Sequence, residues 1–178
     1  MDPTAGPAHN CEMTADGARW RPMTPADLTA VTEVAGLVHP DYPEDLAVLA
    51  ERQALYPPGC FMLEGLSVQG YAFSHPWRFG QPPKLNTRLH RLPDDADTFY
   101  IHDVAILPDA RSGGHGAAIV ALLAGQAAGM GSLSLVAVGH SMAFWLRHGF
   151  RPCENNALRT ALVSYDEGAR FMVRPLPR

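Results

Sequence analysis

The sequence predicts an α/β or α+β fold on a mixed sheet, and three observations carry that expectation. Residues 98–107, TFYIHDVAIL, are β-branched and aromatic and read as a strand. A glycine-rich turn then leads into an apolar helical run over about 114–130, followed by a second strand, SLSLVAV, at 132–138. Strand, crossover helix and strand describe a parallel βαβ unit. Earlier in the chain, CFMLEG from Cys60 and SVQGYAFSH from Ser67 lie a few residues apart and suit an antiparallel hairpin.

The other elements follow from local signals. TPADLTAVTEVAGLVH reads as a helix, with Thr24 as N-cap, Pro25 in the first turn and Asp27 favouring its positive end. Leu28, Val31, Val34, Ala35 and Val38 recur there at helical spacing. PEDLAVLAERQALY is a second helix, closed by Pro57, Pro58 and Gly59. Residues 76–97 hold four prolines and no clean period, so they form a loop, expected beside the active site. HSMAFWLRH at 140–148 is a short helix ended by Gly149, and further strands are expected around 158–164 and from Ala169. Residues 1–18 are rich in Pro, Gly, Ala and Thr and read as a flexible segment ahead of one domain at 19–178.

Composition narrows the function. The chain has 178 residues, 47% hydrophobic and 18% charged, with a formal net charge of −4. That balance suits a globular domain and gives no general drive toward nucleic acid or anionic membrane. Three widely spaced cysteines make neither a disulfide framework nor a zinc site, and no metal is expected. A secretory signal and an apolar run of transmembrane length are both lacking, so a cytoplasmic location is the default.

The glycine-rich turn, LPDARSGGHG, poses the functional question. A helix begins with unpaired amides and a partial positive charge, which favour an anion. Glycine at Gly113, Gly114 and Gly116 removes the Cβ atoms that would hold a phosphate away, and Arg111 adds forked donors. Either the turn cradles a pyrophosphate, or it only lets the helix pack closely on the sheet. Two familiar phosphate loops fit poorly. Walker A needs Gly-Lys before Ser or Thr, and the dinucleotide fingerprint wants glycine where Ile119 stands and an acid ending the next strand.

A third pattern fits. Arg111-Ser112-Gly113-Gly114-His115-Gly116 matches Arg/Gln-x-x-Gly-x-Gly/Ala, the acetyl-CoA signature of the GNAT superfamily of N-acetyltransferases. Around it, DVAILPDARSGGHG resembles that family's strand-turn-helix, and SLVAVGHSMAFWLRHGFRP its next strand and closing aromatic-x-x-x-Gly-Phe helix. The resemblance implies a strongly twisted mixed sheet flanked by helices, with two central parallel strands splayed apart. It further implies acetyl-CoA as co-substrate. Val104, Ala105 and Ile106 would pair with pantetheine through main chain, and Arg111 to Ala117 would hold the pyrophosphate. Ser141 and Trp145 would stand near the cofactor, and His115 would meet a phosphate or simply face solvent.

Acetyl transfer needs a neutral amine, and an alkyl amine with a pKa of about 10.4 arrives protonated. A base is therefore useful, and some family members carry a carboxylate on the strand holding His102 and Asp103. Both residues are candidates, since a bulge common in this strand prevents alternation from choosing between them. Trp77, Phe79 and Tyr100 are candidate walls of an acceptor pocket. One departure stands out: Trp145 occupies the position where many relatives place a tyrosine proposed to protonate the departing thiolate, and indole is no practical acid. The reading is an N-acetyltransferase acting on a small-molecule amine, or on a peptide or protein amine, by direct attack in a ternary complex. A homodimer would be usual for the family, although no segment marks an interface. Its rivals are a non-catalytic acyl-CoA-binding sensor and a nucleotide-binding α/β domain.

Overall fold

In the computed structural model, which describes residues 17–154 and 158–177, the first helical region starts where the sequence predicts. The Asp27 carboxylate accepts the Thr24 amide at 2.7 Å and the Thr24 hydroxyl at 2.9 Å, while Arg21 grips it at 2.7 and 2.8 Å. A 3-10 turn over Pro25–Asp27 leads into α1 (Leu28–Val38), and α2 (Leu46–Leu55) follows a proline-bearing connection. The strands are β1 (Arg19–Pro22), β2 (Cys60–Glu64), β3 (Val68–Trp77), β4 (Thr98–Ile106), β5 (Ser132–Ala137), β6 (Arg151–Pro152) and β7 (Arg170–Pro175). Three later helices, α3 (His115–Gln126), α4 (Met142–Arg147) and α5 (Arg159–Leu162), complete the described elements. Most of the expected N-terminal segment, residues 1–16, lies outside the described residues.

One sheet orders the strands β1-β2-β3-β4-β5-β7-β6. The hairpin β2–β3 is antiparallel, β4–β5 is parallel across α3, and β5–β7 is antiparallel, so the sheet is mixed as expected. Burial of apolar side chains on both faces holds the layers together. On one face Phe99 and Ile101 pack with Ile119, Val120 and Leu123 of α3. On the other, Tyr71, Phe73 and Ala105 pack with Val31 and Val34 of α1 and Leu49 of α2.

Two expectations need correction. β3 runs on through Pro76 and Trp77, because Trp77 still pairs with Thr98. The strand expected around 158–164 is instead the helical turn α5, in which the Val163 amide bonds the Arg159 carbonyl at 3.0 Å. β7 is already paired by β5 on one edge and by β6 on the other, which leaves no ladder there for another strand.

Candidate active site

Strand β4 organises the site through one irregularity. Phe73 of β3 pairs with Asp103, but the next residue, Ser74, pairs with Ile101, so His102 is the extra residue of a β-bulge. Ahead of the bulge Ile101 faces α3; beyond it Val104 and Ile106 face α3 again, while Asp103 meets Tyr71 on the α1 side. The bulge therefore turns both His102 and Asp103 toward α1 and α2. Alternation would have sent them to opposite faces.

Both residues are already engaged there by the connection between α1 and α2. Glu44 Oε2 lies 2.9 Å from Nε2 of His102, with side-chain exposures of 9% and 2%. His39 Nε2 lies 3.1 Å from Oδ1 of Asp103, whose Oδ2 accepts the Tyr71 hydroxyl at 2.5 Å. Burial works against charge in all of these carboxylates. Even so, His102 keeps Glu44 below the usual carboxylate range, and His39 and Tyr71 do the same for Asp103. His39 is raised in turn, Asp103 outweighing the burial that opposes its charge. A cleft of about 330 Å³ opens beside His39 and Glu44, walled by Thr32, Ala35, Gly36 and Tyr42. Tyr42 donates from that wall to Asp166, close to Gly139 just past β5. The connection thus reaches from β4 to the segment just past β5.

The long loop between β3 and β4 roofs this face and is tied to α2 by polar contacts. The amide of Asp45 donates to Asn86 Oδ1 at 2.8 Å, and the amide of Asn86 to Glu44 Oε1 at 3.2 Å. Arg52, 1% exposed, donates to the Thr87 carbonyl, while Glu51 accepts the amides of Leu89 and His90. Tyr165 anchors the loop's other flank by donating to the Pro83 carbonyl at 3.0 Å. Beneath lies Tyr100, fully buried beside His75 at 5.7 Å between ring centroids. Trp77 donates to the Gln81 carbonyl and stacks edge-on against His75, and Phe79 stacks against Phe171. These contacts make Trp77 and Phe79 anchors of the loop.

On the opposite side of β4 the sheet parts. The parallel ladder to β5 holds only at Phe99–Leu133, Tyr100–Ser134 and Ile101–Leu135. Beyond it β4 stays with β3 out to Ile106, and β5 stays with β7 out to Ala137. The backbone of Val104, Ala105 and Ile106 consequently faces a gap at the carboxyl ends of parallel strands, where ligands of open α/β sheets bind. At the mouth of the gap a 3-10 turn over Pro108–Gly113 ends on Gly114, whose φ of +76° is left-handed and suits glycine. A Cβ at Gly114 would meet nothing within 4 Å. The first bond of the α3 ladder runs from the Ala118 amide to the Gly114 carbonyl, so the first-turn amides precede the ladder. Arg111 is exposed and folds back, Nε donating to the Ile106 carbonyl at 3.0 Å. Ser112 and Ala117 are exposed, and Gly113 is half-buried. A diphosphate and its extended arm fit this arrangement, because open space lies at Gly114 and β4 and β5 no longer pair along the gap.

Four expected cofactor contacts look different in three dimensions. His115 is fully buried instead of facing solvent, and its carbonyl accepts Trp20 Nε1 at 3.0 Å. Gly116 answers to packing: a Cβ there would stand 2.7 Å from Phe144 of α4. Trp145 is 7% exposed and packs edge-on against Phe150, a core role rather than an acid's. Ser141 spends its hydroxyl on the Val138 carbonyl at 2.7 Å. Sequence reading missed His39, Tyr42, Glu44 and Tyr71. The acid-rich, proline-stiffened HPDYPED between two helices was the available signal for the first three.

Comparison with known proteins gives a consistent picture. The acetyltransferase (GNAT) family model matches residues 31–150. No curated protein matches the chain in sequence. Among solved structures, the chain is similar to the GphF GNAT-like decarboxylase in complex with isobutyryl-CoA, at 17% identity and a TM-score of 0.71, over 89% of this chain and 100% of that one. Ard1 from Thermoplasma volcanium matches at 16% identity and a TM-score of 0.67, covering 90% and 99%. A phosphinothricin acetyltransferase from Sinorhizobium meliloti, in complex with AcCoA, matches at 21% identity and 0.61, covering 89% and 88%. At such identities these likenesses speak for the fold.

Proposed function

The chain belongs to the acetyltransferase (GNAT) family, and we propose that it is an acetyl-CoA-dependent N-acetyltransferase that acetylates a small primary amine by direct attack in a ternary complex. With that membership, an unrelated nucleotide-binding domain no longer competes. The single observation that carries the proposal is the parting of β4 from β5 directly beside the Gly114 turn. Acetyl-CoA, when bound, supplies a thioester-activated acetyl group. Val104, Ala105 and Ile106 bind its arm through main chain, and the turn from Arg111 to Ala117 takes its diphosphate on backbone amides. Residues 19–178 act as one domain in this reading.

The acceptor enters on the α1 side. A cleft of about 330 Å³ falls at the small end of ligand pockets and favours a small molecule over a polypeptide. Glu44, Asp103 and Asp166, each held ionised, favour an acceptor that arrives as a cation. The cation sheds its first proton to solvent, His102 takes the second as the neutral amine attacks, and bringing both reactants together supplies the rest. No residue need protonate the leaving thiolate, since a thiol pKa of about 8.5 already makes it a fair leaving group. This accommodates the buried Trp145.

Incubating the protein with acetyl-CoA and a panel of small amines, read by free-thiol release, tests the proposal. Release that depends on one class of amine supports it. The buried Trp145 also favours a second reading, an acyl-CoA sensor without turnover. Tight acetyl-CoA binding with no amine-dependent release across the panel would select the sensor.

A further inference from the structure

We propose that Glu44 is a positioning residue for the base, holding His102 in the Nε2–H tautomer so that Nδ1 is the nitrogen that accepts the acceptor's proton. The catalytic half of this proposal rests on the transfer reaction above; the tautomer is a property of the resting protein.

Both oxygens of Glu44 are committed. Oε1 accepts the Asn86 amide at 3.2 Å, and Oε2 lies 2.9 Å from His102 Nε2. An ionised carboxylate only accepts, so the nitrogen facing it carries a proton. In the neutral ring Nδ1 is then left with the lone pair. It is buried and has no hydrogen-bond partner among the described residues. An unpartnered acceptor in a buried site costs free energy unless something occupies it during function.

The groups around the ring leave it this role. His75 of β3, with its ring centroid 6.3 Å away, is pushed down to about 3 by burial and then by His102, so it stays neutral and is no rival base. Tyr100 of β4, 6.4 Å away, is raised well above its ordinary value by burial and stays a phenol. Asp103 is taken by His39 and Tyr71. Arg52 of α2 lies behind Glu44, occupied by Glu51 and the Thr87 carbonyl. In the transfer step the acceptor, its ammonium proton already lost to solvent, bonds through its neutral nitrogen to the acyl carbon, and the C–S pair leaves on sulfur as thiolate. The acceptor's proton passes to Nδ1, and the imidazolium so formed faces the Glu44 charge until solvent removes the proton. Asn86 ties the same carboxylate to the β3–β4 loop, so that loop positions the base without touching it.

The test is ¹⁵N NMR of the imidazoles at alkaline pH without substrate, the His102 signals being those lost in His102→Gln. Wild type is expected to show a protonated Nε2 and a bare Nδ1. Glu44→Gln offers one oxygen to two donors, so the Nδ1–H form should gain a sizeable share. Its kcat should drop roughly tenfold or more, within the span a general base contributes, with the KM for acetyl-CoA within about twofold. A wild-type Nδ1–H tautomer overturns the proposal. So does a folded Glu44→Gln variant with unchanged kcat, or one whose kcat falls while the tautomer stays as it was. Should Glu44→Gln fail to fold, the wild-type tautomer alone decides. Should wild type acetylate no amine, the transfer reading fails while the tautomer still reports on Glu44.

Discussion

A Cβ built on Gly116 would stand 2.7 Å from Cε2 of Phe144, so the last glycine of the turn is where α3 and α4 touch. Gly116→Ala should therefore act on folding first. Overpacking of this kind costs about 1–3 kcal/mol, read as a lower unfolding midpoint. Phe144→Leu should recover much of that loss in the double variant. Strict additivity of the two changes would show that this contact is not the cause.

Gly114 separates the other reading of the turn from packing. Its position is left-handed but open, and asparagine tolerates that backbone better than most residues. Gly114→Asn should leave the unfolding midpoint within a few degrees and weaken acetyl-CoA binding tenfold or more, by placing a side chain in the cradle. Unaltered affinity in titration calorimetry would remove the turn from the cofactor site.

The His39–Asp103 pair makes stability depend on pH. A raised histidine contributes fully below its unfolded value of about 6.5, and the contribution fades as pH rises through the folded value. A lowered aspartate contributes fully above about 3.9, and that fades as pH falls through its folded value. The pair thus holds the α1–α2 connection best between about pH 4 and 6.5. Asp103→Asn should flatten the decline in unfolding midpoint as pH rises above about 6.5. An identical slope in the variant would show that the pair adds nothing there.

Much of this arrangement was legible in the chain, and the remainder was hidden for a physical reason. Strand-turn-helix-strand from Thr98 to Ala137 followed from period, β-branching and the glycine turn, because those signals act over a few residues. The partners of the candidate base did not, since Glu44 meets His102 across 58 positions and Tyr71 meets Asp103 across 32. Alternation could not choose between His102 and Asp103, because one unpaired residue in the β3–β4 register turns both the same way. His115 looked like a turn residue, yet packing of α3 draws it inward. The two-residue β6 and the edge strand β1 carry too few residues for any periodicity.

Arg52 is the buried tie between α2 and the β3–β4 loop, with burial lowering its pKa and Glu44 and Glu51 supporting its charge. Arg52→Met keeps the volume and removes the donor. Losing one member of a buried ion pair costs about 3–5 kcal/mol. Hydrogen exchange should quicken first at Leu89 and His90, whose amides rest on Glu51. Loss confined to other parts of the fold would contradict that role.

Hydrogen exchange on acetyl-CoA binding bears most directly on the cofactor site. Saturation should slow exchange in two short stretches, the β4 edge at 104–106 and the first turn of α3 at 114–117, while the hairpin of β2 and β3 changes little. Tight binding that leaves both stretches exchanging as before would place the ligand elsewhere and contradict the account.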